Sequence, residues 1–232
     1  MGNIVWITGA SSGIGKELAK KFYQQKHTVA LTSRRISSKN YDFADEDENR
    51  LIYSKADVSD YSSINSAYNQ ISKNGFVDLL INNAGTTSFT LAEDDSPEMI
   101  SQIISTNLIG AINTIKCVLP EMIKMTRGTI VNILSVAAEK IFIKSSAYAA
   151  SKAGLLAYSN ALREEIRKYN IKVINILPGA TATPIWPSAA LEKFSCRMMK
   201  PEDLAELIYN LVINEKNIVP EEVTLRPIQG DL

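Results

Sequence analysis

Tyr148 and Lys152 stand four residues apart in Tyr-Ala-Ala-Ser-Lys, a spacing that puts two side chains on one helix face. A phenol ordinarily keeps its proton up to a pKa of about 10, too high for an acid/base group working near neutrality. A neighbouring ammonium favours the phenolate and draws that value down, each unit corresponding to about 1.4 kcal/mol. Such a pair can pass a proton to or from a carbonyl or hydroxyl oxygen. The reaction then needs a hydride carrier. Taken alone, the spacing is a common accident of helices, so its weight depends on the rest of the chain.

A carrier site is legible near the N-terminus. The apolar run Ile4–Ile7 leads into Thr8-Gly9-Ala10-Ser11-Ser12-Gly13-Ile14-Gly15, and a helical pattern follows. Glycines there let the backbone turn tightly and bring amides close to a pyrophosphate at the positive end of a helix. Gly9, Ser11, Ser12, Gly13, Ile14 and Gly15 are therefore candidate cofactor contacts. The spacing G-x-x-x-G-x-G departs from the common G-x-G-x-x-G, and its weight comes from the strand–turn–helix context.

The elements that must position these residues alternate along the whole chain. Short apolar runs at Ile4–Thr8, Thr28–Ser33, Arg50–Tyr53, Leu79–Ile81, Thr129–Leu134, Val173–Leu177 and Val223–Leu225 read as strands. Between them lie helical patterns: Ile14, Leu18 and Phe22 on one face, Pro97–Lys124, Ser146–Tyr169, and a helix opened by Pro201. Repeated strand–helix–strand with nearly continuous apolar strands predicts an α/β fold. We expect a Rossmann-type, doubly wound parallel sheet of about seven strands with helices on both faces. No repeat or linker divides the 232 residues, which read as one dinucleotide-binding oxidoreductase domain, with 184–200 as a short substrate lid.

The glycine turn, Asn82-Asn83-Ala84-Gly85, Ser135, Tyr148-x-x-x-Lys152 and Pro178-Gly179 occur in that order. Together they resemble the short-chain dehydrogenase/reductase family. The resemblance implies a carbonyl/alcohol oxidoreductase with Tyr148 as general acid/base and Ser135 binding the substrate oxygen. It further implies that Asn107 holds a water behind Lys152, which also reaches the nicotinamide ribose. Asn83, Ala84 and Gly85 would border the cofactor, Asp57 and Val58 its adenine. Pro178, Gly179, Thr181 and Thr183 would border its nicotinamide, with threonine at 181 where valine or isoleucine is more usual. Asp57 reads equally well as a helix-capping acid, and Asn107 as a polar residue on a helix face.

Dinucleotide choice is read from Val-Ala-Leu-Thr-Ser33-Arg34-Arg35. A carboxylate at that strand end grips a free ribose 2′-hydroxyl and repels a 2′-phosphate. Ser33 and Arg34 stand there instead, and an arginine fork pairs with phosphate, which places NADP(H) ahead of NAD(H). The acidic segment 42–48 is either a solvated loop or a flap over the adenosine end.

Composition narrows the rest. Lys+Arg and Asp+Glu are both 25, so no basic excess points to nucleic acid or to an anionic membrane. The single histidine, His27, excludes a His-rich metal centre and a Ser-His-Asp triad; its position between helix and strand reads as an exposed turn. We expect no metal. Two distant cysteines suit a reduced, cytoplasmic protein, and no segment reads as long enough to cross a bilayer.

Substrate selectivity is expected in three loops, Thr86–Ser96, Ala137–Ala147 and Pro184–Lys200, with Phe89, Phe142, Ile143, Trp186 and Phe194 as an apolar lining or as plain core. Thr183-Pro184-Ile185-Trp186 and the stretch from Glu221 through Gly230-Asp231 resemble a bacterial subset that includes sepiapterin-reductase-like proteins. That makes a pterin carbonyl reductase the alternative to small ketones, aldehydes and hydroxy acids. Glu192, the only acid in the lid, is either the pterin's partner or solvated surface. A protein that senses NADP(H) without chemistry would need the glycine turn but not Ser135, Tyr148 and Lys152 together. The resemblance implies a homodimer or homotetramer through the helices holding Asn107 and Tyr148.

Overall fold

The structure, a computed structural model, describes residues 2–37, 41, 48–213 and 217–232. The acidic segment 42–48 lies outside them apart from the backbone of Glu48. Seven strands, β1 (Gly2–Thr8), β2 (Thr28–Ser33), β3 (Leu51–Lys55), β4 (Gly75–Asn82), β5 (Gly128–Ile133), β6 (Ile171–Pro178) and β7 (Glu222–Leu225), form one sheet in the order β3-β2-β1-β4-β5-β6-β7. Every neighbouring pair is parallel. Chain connections leave β1 in opposite senses on its two sides, which opens a crevice at the carboxyl ends of β1 and β4.

Alternation within β1 explains the two layers. Val5 and Ile7 are buried against α1 (Gly13–Gln24) and α7 (Pro201–Val212), with Leu18, Phe22, Leu204 and Ile208. Ile4 and Trp6 face the other side, among residues of α2 (Tyr61–Ile71), α4 (Gly110–Met125) and α5 (Ser146–Ile166). Each large side chain fully removed from water contributes about 1.5–3 kcal/mol, and Trp6 also donates its indole N–H to Thr32 Oγ1 at 2.8 Å.

Four expectations change. The fourth strand begins at Gly75 rather than Leu79, because Asp78, which interrupts its apolar pattern, finds Asn3 Nδ2 at 3.0 Å and Arg127 at 3.6 Å. The long helix at Ser146 ends at Ile166 and tightens through Tyr169. His27 is half-buried rather than exposed: its ring meets Phe22 and Tyr209 at 5.4 and 6.0 Å, and burial lowers its pKa. The helical segment from Pro97 is α3 (Pro97–Ile104), a wider π turn Ser105–Ile109, and α4. Together they are long and apolar enough to cross a membrane, contrary to expectation, but half of the qualifying stretch is buried inside the fold.

Candidate active site

Tyr148 and Lys152 lie one turn apart in α5, and both face a cleft of about 690 Å³ at the strand ends. Lys152 is 4% exposed. Its ammonium donates to Ile133 O at 2.8 Å and sits 5.7 Å from the Tyr148 ring centroid. Ser135, two residues beyond β5, is hydrogen-bonded to the Tyr148 hydroxyl and accepts the Ala137 N–H at 3.1 Å. The balance on Tyr148 runs opposite to the charge argument. Burial raises its pKa, and the Ser135 hydrogen bond only opposes this. Burial also lowers Lys152 to about 8. Both shifts have one cause, since low-dielectric surroundings disfavour whichever form carries charge.

Asn107 is buried in the π turn, where Gly110 N–H reaches back five residues to Ser105 O. Such turns recur at functional sites because they re-aim side chains within a continuous helix. Asn107 Oδ1 accepts Thr86 N–H at 2.8 Å, and its Nδ2 donates to Thr86 O at 2.8 Å and Ser151 Oγ at 3.0 Å. The side chain thus clamps the loop after β4 onto α5. It does not line the cleft, yet a methyl on Gly85 would lie 3.5 Å from Asn107 Oδ1 and 3.7 Å from Lys152 Nζ.

The glycine turn is locked to the loop after β4. Thr8 Oγ1 accepts the N–H groups of Asn83 and Ala84 at 3.1 and 3.2 Å, while Asn83 Nδ2 donates to Thr8 O and Gly9 O at 3.1 and 3.0 Å. Gly9 has φ +63°, and a Cβ there would stand 2.7 Å from Ala84 Cα, so a side chain is excluded on both counts. Ser12 caps α1 without a side-chain hydrogen bond, which leaves the first amides of the helix for an anion.

At the far end, Ser33 Oγ is buried with no hydrogen-bond partner among the described residues, and the exposed Arg34 and Arg35 line the cleft beside it. Asp57 Oδ1 accepts Ser59 N–H at 2.9 Å and Ser59 Oγ at 2.7 Å, which braces the turn ahead of α2, whose cap is Asp60 rather than Asp57, and Asp57 faces the cleft as well. Val58 rests on α4, where a Cβ on Gly110 would fall 2.6 Å from Val58 Cγ2 and Asn113 Nδ2 donates to Val58 O at 2.9 Å.

Of the sequence candidates, Ser11, Gly13, Ile14, Ala84, Pro178, Gly179, Thr181 and Thr183 join those above in the cleft wall, whereas Gly15 and Asn107 pack behind it. Phe89 and Trp186 stack at 5.0 Å from opposite loops, with Phe142 and Ile143 nearby. Phe194 and Glu192, in the short helix α6 (Ser188–Phe194), do not reach the cleft, and Glu192 is exposed. Asp231 and Leu232 do line it, and no local sequence signal marked them as site residues.

Beneath the cleft runs a second unforeseen feature. Asn82, Asn132 and Asn175 hold matched register positions on β4, β5 and β6. Asn82 Nδ2 donates to Asn132 Oδ1 at 2.9 Å, and Asn132 Nδ2 donates to Ser159 Oγ at 2.9 Å and Asn175 Oδ1 at 3.2 Å. Thr114 Oγ1 closes the row on Asn82 Oδ1 at 2.5 Å. An asparagine in each of three apolar strands was the available signal.

Residues 3–193 match the family model described as short chain dehydrogenase. The chain is 31% identical to the sepiapterin reductase of Chlorobaculum tepidum, across all of this chain and 99% of that protein. It is 32% identical to mouse Dehydrogenase/reductase SDR family member 7 over 84% of its own length, and spans only 60% of that relative. Among solved structures, an alcohol dehydrogenase from the archaeon Thermococcus sibiricus complexed with 5-hydroxy-NADP superposes with a TM-score of 0.87 at 25% identity, covering 99% of this chain and 98% of that one.

Proposed function

The chain belongs to the short-chain dehydrogenase family, and from that premise we propose that it interconverts a carbonyl and an alcohol with NADP(H), Tyr148 acting as general acid/base. The observation that carries this reading is the hydroxyl pair Tyr148–Ser135 with Lys152 buried behind it, at one end of a cleft whose other end is the glycine turn. When bound, the cofactor supplies a hydride for reduction or accepts one for oxidation. Tyr148, held protonated by its burial, gives its proton to the substrate oxygen in the reductive direction and takes it back in the other. Ser135 orients that oxygen and stabilises charge developing on it. The Lys152 ammonium stabilises the phenolate left behind, and Asn107 fixes the wall behind Lys152 through Thr86 and Ser151.

The residues at the adenosine end fit a phosphorylated ribose. Among the described residues Ser33 Oγ is a buried hydroxyl lacking a partner, two arginines flank it, and no carboxylate occupies the strand end. A 2′-phosphate would take Ser33 and Arg34 as donors, and NADP(H) is accordingly favoured over NAD(H). Gly9, Ser11, Ser12, Gly13 and Ile14 would cradle the pyrophosphate, with Gly15 packing behind them. Asn83–Gly85 and Pro178, Gly179, Thr181 and Thr183 would border the nicotinamide half.

The sepiapterin reductase among the relatives makes a pterin carbonyl the second reading. We place the enzyme in the cytoplasm as a homodimer or homotetramer, for which the exposed Ile109, Met99 and Ile100 on the α3–α4 face supply apolar surface; a monomeric mass in sedimentation at micromolar concentration overturns the assembly. The central test sets NADPH beside NADH against ketones, aldehydes, diketones and a pterin carbonyl, with Tyr148→Phe in parallel. Turnover with NADPH that falls about 10²–10⁴-fold in the variant while NADPH still binds supports the assignment. Binding without turnover across the panel favours a cofactor sensor, and an unchanged kcat in Tyr148→Phe removes the tyrosine from the chemistry.

A further inference from the structure

The Asp231 side chain, in the C-terminal tail, reaches the cleft, and its two oxygens have different surroundings. Oδ2 is saturated: it accepts Lys140 Nζ at 2.7 Å and an Arg226 Nη1 donor at 2.5 Å. Oδ1 is buried and has no hydrogen-bond partner among the described residues, although the side chain is only 8% exposed. It points toward the end of β6, where a Cβ on Gly179 would lie 3.5 Å from it. Gly179, Asp231 and Trp186 all line the same cleft as Tyr148. A buried carboxylate oxygen left without a donor is costly, and such an orphan in a ligand cleft calls for an explanation.

The charges around Asp231 narrow what that donor can be. Lys140 and Arg226 already place two positive charges on one carboxylate, and Arg197 reaches the Asp231 main-chain oxygen at 3.5 Å. A substrate ammonium would approach cations already paired with that carboxylate and meet like-charge repulsion. A neutral hydroxyl would bring a proton to Oδ1 without that penalty. Resting on the carbonyl reductase reading above for where the substrate lies, we propose that Asp231 is a specificity-determining residue. It accepts a hydrogen bond from a hydroxyl that accompanies the reacting carbonyl, so that hydroxyketones, giving diols on reduction, are the favoured substrate class.

Matched ketones test this. The pair 2-hydroxyacetophenone and propiophenone exchange a hydroxyl for a methyl, and 2-aminoacetophenone exchanges it for an ammonium; 3-hydroxypropiophenone covers a longer reach. The variant is Asp231→Asn. Lys140 and Arg226, being donors, hold the amide oxygen in the Oδ2 position, which turns Nδ2 toward the cleft and replaces an acceptor with a donor. The hydroxyl-over-methyl ratio of kcat/KM should fall about ten-fold or more, the loss expected for a hydrogen bond to an ionised group. Intrinsic reactivity of the ketones cancels between wild type and variant. Lys140→Met loosens the ion pair alone and should leave that ratio in place. An equal loss for all ketones in Asp231→Asn would make Asp231 a strap for the tail and overturn the proposal.

Wild-type preference for the methyl or ammonium probe over both hydroxyketones would overturn it even if the variant does not fold. Trp186 fluorescence separates this idea from the reductase reading, because Trp6 is fully buried and gives only a constant background. Hydroxyketone quenching that is lost in Asp231→Asn, without turnover of any ketone, upholds the recognition and sinks the reductase. Turnover with no hydroxyl preference does the reverse.

Discussion

Replacing Lys152 with methionine should stabilise this protein while nearly abolishing its activity. Burial draws the ammonium from its ordinary 10.5 to about 8, a displacement worth roughly 3 kcal/mol of charge held in apolar surroundings at pH 7. Methionine retains much of the stem's length and adapts to the same space. The substitution forfeits the 2.8 Å bond to Ile133 O, a loss of about 1–2 kcal/mol. The net gain is about 1–2 kcal/mol, or a Tm rise of about 3–6 °C for a chain of this size. Turnover should drop by about 10² or more with the loss of the phenolate's partner.

The pH dependence gives a sharper test. Below about 8, folded and unfolded wild type both carry the proton, and the variant's advantage is complete. Between about 8 and 10.5 the unfolded chain still binds a proton that the folded one has released. Wild-type stability therefore climbs with pH across that window and the advantage shrinks. Calorimetric melting of both proteins without cofactor from pH 6 to 10 reads the effect directly. A variant that melts below wild type at pH 7, or a Tm difference that stays constant to pH 10, would refute the reasoning.

Three other substitutions follow from the same geometry. Ser33→Asp sets a carboxylate where a buried hydroxyl has no partner among the described residues, and the NADPH/NADH ratio of kcat/KM should fall at least about 10²-fold through charge repulsion; a preserved ratio would mean that selectivity lies elsewhere. Gly110→Ala drives a methyl to 2.6 Å from Val58 Cγ2, so overpacking should cost about 1–3 kcal/mol and raise the cofactor KM more than it changes kcat. An unaltered cofactor KM would show that the Val58 loop yields freely. Asn132→Leu strips partners from Asn82, Ser159 and Asn175 at once, and denaturant titration should report a loss of about 2–4 kcal/mol; less than about 1 kcal/mol would show that the row repacks.

Period and turn chemistry made most of the scaffold legible. Apolar strands ending in Gly9, Asn83, Ser135 and Pro178 imply a parallel sheet whose carboxyl ends meet at one cleft, and those residues do line it. What escaped prediction depends on non-local packing. The π turn at Ser105–Ile109 leaves no mark on helical periodicity. The reach of Asp231 into the cleft depends on Lys140, 91 residues away. The direction of the Tyr148 shift was missed because a four-residue spacing reports the neighbouring charge but not the depth of burial, which dominates here.

The asparagine row also bears on how the sheet assembles. β4, β5 and β6 are buried on both faces and almost uniformly apolar, so hydrophobic contact alone distinguishes poorly between one alignment of neighbouring strands and the next. A shift of one residue would set Asn132 opposite Ile81 or Ile174 rather than Asn82 or Asn175 and leave amides without partners inside the protein. The row therefore works as an index mark, penalising any misaligned pairing of these strands. Because the glycine turn, Ser135 and the Pro178 turn are counted from those same strands, correct alignment also sets the site.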